Sequence, residues 1–402
     1  MRTWVLVVAL AGACGGGAGT APDMQEDAGA PSAPLMAGMY TPRTDIDAEV
    51  ALVAALTNAR TASGMFQWDA IDTAVAPTAP LGAFLARLDQ EFLGASGAQG
   101  EYALTRTVRE ALVRGRAATT DDARGIAKQG VEKPLLVALG LGVTSELRLA
   151  RAAAREGQWV RASRAWDRAA AYLSGLHGNL GTRSSTSANG VWGASVMTLT
   201  DENMAERTLA LLVRGRAGLD ARSVRTVVET SAEASAYVTK YYFLSGLNYA
   251  HEVRATLAMM RDATKVFAEG RYFFEGVVLP NHGRSDAEAV RAARARWRGE
   301  PSALDRAEVL RDSAALYALG LRPAVEALAS ADASARQETL ALLSGTVDAL
   351  DEALGAAGQD VPALRARLVE ARTRADAGDG AAAATLARAV LDAIQGLAAR
   401  GS

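Results

Sequence analysis

The chain has 402 residues, half of them hydrophobic and only 5% aromatic, and carries a formal net charge of −2. That length supports a sizeable core and one to three domains, and the near-neutral balance leaves no global field for nucleic acid or an acidic membrane surface. The single cysteine, Cys14, excludes an internal disulfide, thiol-ligated zinc and cysteine catalysis built on a second thiol.

The N-terminus reads as a targeting signal. Arg2 supplies a positive start, "WVLVVALA" is apolar but too short to span a bilayer, and "LAGACGGG" places small residues around Cys14. The stretch resembles a bacterial lipobox, which implies cleavage before Cys14 and a diacylglycerol on its sulfur. Residues 1–14 are therefore read as a lipoprotein signal ending at a lipidated Cys14. Residues 15–44 hold Gly, Ala, Pro and small polar side chains, and read as a disordered tether between lipid and body. The expected location is extracytoplasmic, anchored by the N-terminal lipid to a bacterial outer membrane, on its periplasmic face or at the cell surface.

From Ile46 the apolar residues recur at helical spacing. "DAEVALVAALTNAR", "PLGAFLARLDQEFL" and "TRTVREALVRGRA" show it, and Ala, Leu, Arg and Glu dominate. "APTAP" at 76–80, "ASGAQG" at 95–100, "GTRSSTSANG" at 181–190 and "LPNHGRSD" at 279–286 are turn signals. "LVRGRA" occurs twice, at 112–117 and 212–217, and its flanks agree. "LGLGVTSELR" at 139–148 then matches "SGLNYAHEVR" at 245–254, which pairs Glu146 with Glu252 and Arg148 with Arg254. "RAAAYLSG" at 168–175 matches "AEGRYFFEG" at 268–276. The pattern predicts an all-α body of two pseudo-symmetric halves, 45–190 and 191–325, from an internal duplication. Each half is expected to hold three or four helices of roughly 15–25 residues, packed on each other. Residues 326–402 carry three leucine-rich stripes broken by "GAAGQDVP" and "DAGDGA", and read as a separate three-helix bundle.

Catalytic signatures are missing. There is no Walker-type phosphate loop, no G-x-S-x-G elbow and no H-E-x-x-H. "GLGVTS" at 140–145 lies in a helical pattern and is not read as a phosphate cradle. The chain is not expected to be an enzyme.

The order of "AWDRAAAYLSG" (165–175), "GNLG" followed by Thr182, "LALLVRG" (209–215), "SGLNYA" (245–250) and "AEGRYF" (268–273) is similar to the low-iron-inducible periplasmic protein family, also described as algal iron-assimilation proteins. The resemblance covers roughly 45–325. It implies an extracytoplasmic protein of iron binding or uptake, non-catalytic, taking iron or an iron chelate and working with an envelope protein partner. Iron(III) prefers hard oxygen ligands and accepts His. The stretch "NYAHEV" offers Tyr249, His251 and Glu252, of which Tyr249 and Glu252 share a helix face. Glu146, the repeat mate of Glu252, is expected to face it across the interface between the halves. His177, His282, Glu275, Asp167 and Tyr242 are weaker candidates, and the aromatic runs "YYF" and "YFF" read as core. No E-x-x-H pair supports a di-iron site. The competing reading is a tetratricopeptide-like interaction scaffold of the envelope, from "AREGQWVRASRAWDRAAAY" (154–172) and "ADAGDGAAAATLARAVL" (375–391). Convergent interior carboxylates would favour the metal, and an exposed concave groove the scaffold.

Overall fold

A computed structural model describes residues 31–187, 204–282 and 287–399, and among them the fold is all α. Cys14 and its signal sequence lie outside the described residues, as do 188–203 and 283–286. The helices are α1 (Asp47–Gly64), α2 (Trp68–Ala74), α3 (Pro80–Gly97), α4 (Leu104–Ala117), α5 (Asp121–Arg155), α6 (Trp159–Ser187) and α7 (Met204–Asp220). They continue with α8 (Val224–Ala258), α9 (Thr264–Asn281), α10 (Ala287–Arg296), α11 (Arg306–Ala327), α12 (Ala333–Ala356), α13 (Val361–Asp376) and α14 (Gly380–Ala399).

Helix starts follow capping chemistry. Thr120, Ser223, Asp305, Asp332 and Asp360 each accept a backbone N–H from the first turn of the helix that follows. Helix ends follow glycine: Gly157 and Gly378 adopt φ of +73° and +83°, which closes the α5–α6 and α13–α14 hairpins. α5 and α8 run for 35 residues each, longer than the 15–25 expected, and "GLGVTS" lies inside α5 in keeping with its helical pattern. α6 likewise runs through the first part of the expected turn at 181–190, as far as Ser187.

These two long helices form the spine, and they cross antiparallel. The Tyr242 hydroxyl donates to the Leu136 carbonyl at 2.6 Å, and further along Arg151 reaches the Ser231 hydroxyl at 3.4 Å. Gly140 lets them close: a Cβ there would lie 2.3 Å from the Tyr242 hydroxyl oxygen. α6 and α1 cover one side of α5, and α9, α7 and α12 surround α8.

The two "LVRGRA" copies are used alike. Gly115 seats the Trp68 indole and Gly215 the Trp166 indole, so close that a Cβ would meet ring carbons at 2.7 and 1.9 Å. The next residue pairs with the aspartate that follows the tryptophan. Arg116 donates to Asp69 at 2.7 Å on the surface, and Arg216 to the buried Asp167 at 2.9 Å.

Two expected boundaries move. Residues 31–44, read as the end of the tether, are fixed on the body, with Tyr40 and Thr44 each 2% exposed. Asp167, with no exposure, accepts from the Tyr40 hydroxyl at 2.6 Å, from the Arg43 and Thr44 amides at 2.8 and 2.9 Å, and from the Thr44 hydroxyl at 2.9 Å. The segment is thus ordered by Leu35 and Tyr40, which enter the core of the body, and by one buried acceptor that composition does not reveal. The C-terminal helices are three, as expected, but not separate. One hydrophobic core runs from Leu35 to Leu397. α12 lies along α8, where Gly345 meets Ala236 and Lys240 binds Asp351 at 2.9 Å. α14 packs on α11 and α13, burying Leu391, Ile394 and Leu397. It is the one helix among the described residues long and apolar enough to cross a membrane.

Candidate functional site

The antiparallel crossing decides what the repeat mates can do. Contacts at 136–140 with 242 and at 151 with 231 fix the register. Glu146 therefore stands level with residue 236 of α8, not with Glu252. The sixteen residues from 236 to 252 separate the two carboxylates by about 24 Å along the axis at 1.5 Å per residue.

Each predicted ligand has its own surroundings. Glu146 is 3% exposed; Oε1 lies 3.4 Å from the Arg87 guanidinium, and Oε2 is buried without a hydrogen bond. Burial pushes its pKa above the usual carboxylate value, against the pull of Arg87 and Arg168. Glu252 accepts from the Asn248 amide. Tyr249 is buried and stacks on Phe273 at 5.6 Å, while His251 is exposed. The structure brings none of these four to a common centre. Among the described residues no three His, Cys, Asp or Glu side chains are grouped to hold a metal ion. The weaker candidates also have structural partners: Asp167 holds the N-terminal segment, Tyr242 the α5 backbone, and Glu275 binds Arg294 at 2.8 Å. His282 is half-buried beside Arg294, and burial together with that charge lowers its pKa. His177 Nε2 is buried without a hydrogen bond.

A different site lies where α5 and α8 diverge. Beyond their crossing a cleft with about 80 Å³ of accessible space, open at its mouth, is walled by α5 and α8 and closed by α9, α11 and α12, with Phe92 of α3 at its edge. On α5, Thr144, Arg148 and Arg151 face it at spacings of four and three, one helix face. On α8, Ser235 and Thr239 do the same at a spacing of four. Thr346 of α12, Asn281 at the end of α9 and Tyr317 of α11 complete the polar lining, which includes no Asp or Glu.

The electrostatics favour an anion. Arg148, at the mouth, binds Glu91 at 2.6 Å, and Arg151, at the floor with a 5% exposed side chain, binds Glu338 at 2.9 Å. Each glutamate is shared: Glu91 also faces Arg87 at 3.7 Å, and Glu338 also pairs with Arg155. Arg148 and Arg151 are the charged side chains of the lining, and the glutamates that pair with them stand outside it, in surroundings where a charge interaction is stronger than in water.

The hydroxyls have a definite polarity. Thr144, Ser235, Thr239 and Thr346 donate their protons to the carbonyls of Gly140, Ser231, Ser235 and Leu342 at 2.8–3.0 Å, so each keeps lone pairs for another donor. Tyr317 is the reverse case. It is 7% exposed, its hydroxyl has no hydrogen-bond partner, and burial raises its pKa, so the phenol keeps its proton.

No protein-family model, no curated protein and no solved structure matches this chain. The cleft residues were not singled out from the sequence, because six helices far apart in the chain supply them. The available signals were the Thr144–Arg148–Arg151 face of α5 and the Ser235–Thr239 hydroxyl stripe of α8.

Proposed function

We propose that this protein is an extracytoplasmic, lipid-anchored binding protein, non-catalytic, that serves iron uptake by taking an iron-linked ligand in the cleft between α5 and α8. The observation that carries this reading is a cleft whose lining holds two arginines, Arg148 and Arg151, and no carboxylate. The order of motifs shared with the iron-assimilation proteins supports the iron connection, and the lipobox around Cys14 supports the location. A bare ion has no assembled ligand set among the described residues, whereas an anionic chelate fits the charge of the cleft. We read the two halves as products of duplication, supported by the Trp-Asp on Gly-Arg packing that recurs at Trp68–Arg116 and Trp166–Arg216.

The test is calorimetric titration of the full chain with Fe(III)-citrate, Fe(III)-nitrilotriacetate and Fe(II), beside Thr144→Phe, which narrows the cleft, and a Glu146→Ala/Glu252→Ala double variant. Binding lost in Thr144→Phe and kept in the double variant is the expected result. Binding lost only in the double variant moves the site to the carboxylates. Binding of no iron species overturns the iron reading and favours the envelope interaction scaffold.

A further inference from the structure

The polarity of the cleft is specific enough to name a class of occupant. On the α5 side it offers positive charge, from Arg148 at the mouth to Arg151 at the floor. On α11 it holds a buried phenol with no partner. On α5, α8 and α12 it offers four hydroxyl oxygens whose protons are already committed to backbone carbonyls. The first two features call for an anion that accepts hydrogen bonds. The third calls for a group on the same molecule that donates them. Inorganic phosphate carries its acceptors and its one or two donors on a single charged centre, so it does not separate an anion from a neutral donor. A plain dicarboxylate supplies acceptors alone. A small hydroxy-carboxylate supplies both.

We propose that the cleft binds small hydroxy-carboxylate anions, with carboxylate toward Arg148, Arg151 and the Tyr317 hydroxyl and alcohol protons toward the Thr144, Ser235, Thr239 and Thr346 oxygens. The proposal rests on the cleft reading above and adds that recognition lies in the organic anion, with or without iron bound to it. Tyr317 is its most specific element. A buried hydroxyl without a partner is a cost to the empty protein, and a ligand carboxylate at hydrogen-bond distance removes it. A tyrosine kept only for packing would lose nothing on becoming phenylalanine.

The experiment titrates the full chain, freed of metal by chelation, with citrate, malate, tricarballylate (citrate without its hydroxyl) and inorganic phosphate, following heat and thermal midpoint. Citrate or malate should bind, with tricarballylate and phosphate at least tenfold weaker. Tyr317→Phe should leave the midpoint of the empty protein unchanged or raised. It should weaken citrate by about tenfold to a hundredfold, the range one hydrogen bond to a charged group carries. A Ser235→Ala variant, which removes one acceptor at a half-buried position, should weaken citrate and malate but not tricarballylate. Tricarballylate as tight as citrate, or citrate affinity unchanged by both substitutions, overturns the proposal. Failure of every metal-free anion while Fe(III)-nitrilotriacetate still binds and Thr144→Phe abolishes it also overturns the proposal, but leaves the iron-linked cleft standing. Failure of all anions and all iron species removes both.

Discussion

Asp167→Asn is the sharpest test of how the N-terminal segment is held. The carboxylate has no exposure and gathers five hydrogen bonds, from Tyr40, Arg43, Thr44 twice and Arg216. Asparagine keeps the shape and loses the charge. With its oxygen toward Tyr40 and Arg216, its NH2 opposes the Arg43 and Thr44 amides; turned over, it opposes Arg216. Either way at least one donor faces a donor, and the Arg216 side chain, 8% exposed, loses its buried counter-charge. Removing one partner of a buried ion pair costs about 3–5 kcal/mol, more than the pair itself is worth against an apolar replacement. Urea unfolding at pH 7 should show that loss, and limited proteolysis should cleave within 31–46 in the variant before the body is cut. A loss below about 1 kcal/mol with unchanged proteolysis would refute the argument, because surface ion pairs are worth that much at most. The mechanism has a second check. Tyr40→Phe alone should cost about 1 kcal/mol, and it should add little to Asp167→Asn, since both act through one network.

Three further outcomes follow from particular contacts. Gly215→Ala should cost about 3 kcal/mol in a thermal melt and Gly115→Ala less, because Trp166 is fully buried and cannot yield while Trp68 lies nearer the surface; the reverse order would contradict the packing. Glu146→Gln should be neutral or stabilising at pH 7. The folded-state pKa of Glu146 is raised by burial, so as pH rises from the unfolded value through the folded one the unfolded chain ionises first and the native protein loses stability. The variant's advantage in denaturant unfolding should therefore grow over that window and then level off; an advantage that shrinks with rising pH would reverse the assignment. Cys14→Ser should move the protein from the membrane to the soluble fraction of the envelope, and retention in the membrane would refute the lipid anchor.

Helical class was legible because apolar spacing and capping residues act within a few positions of each other, but the count was not: each half was expected to hold three or four helices, and the described residues form six (α1–α6) and five (α7–α11). The C-terminal stripes at Leu340–Leu354, Leu364–Leu368 and Leu386–Leu397 became α12, α13 and α14. The sharing of one core by these helices and the body was not legible. It depends on small residues at single contacts, such as Gly345 against Ala236, which resemble any other small residue in an Ala-rich chain. The order of residues 31–44 was hidden for a related reason. Their composition lacks a core, and the acceptor that fixes them lies more than a hundred positions away at Asp167.

The candidate site turns on geometry that sequence periodicity does not carry. Matching Glu146 with Glu252 by repeat position assumed that mates meet. In an antiparallel pair they meet only at the axis, and every residue of displacement from it along one helix is matched by an equal displacement the other way along its mate. The crossing itself is filled by Gly140 and Tyr242, closely enough to leave no room for a ligand. Beyond it a gap opens between α5 and α8, lined by Thr144, Arg148, Ser235 and Thr239, with Arg151 reaching Ser231 at its far end. Residue identities change there in the same sense, from glycine and aromatic at the crossing to arginine and hydroxyl in the cleft. Packing that minimised exposed polar atoms would fill that gap with leucine, as it does in the C-terminal helices. The side chains present instead leave a buried phenol unpaired and hold charge at the floor. The anion proposed for the cleft would offset these costs.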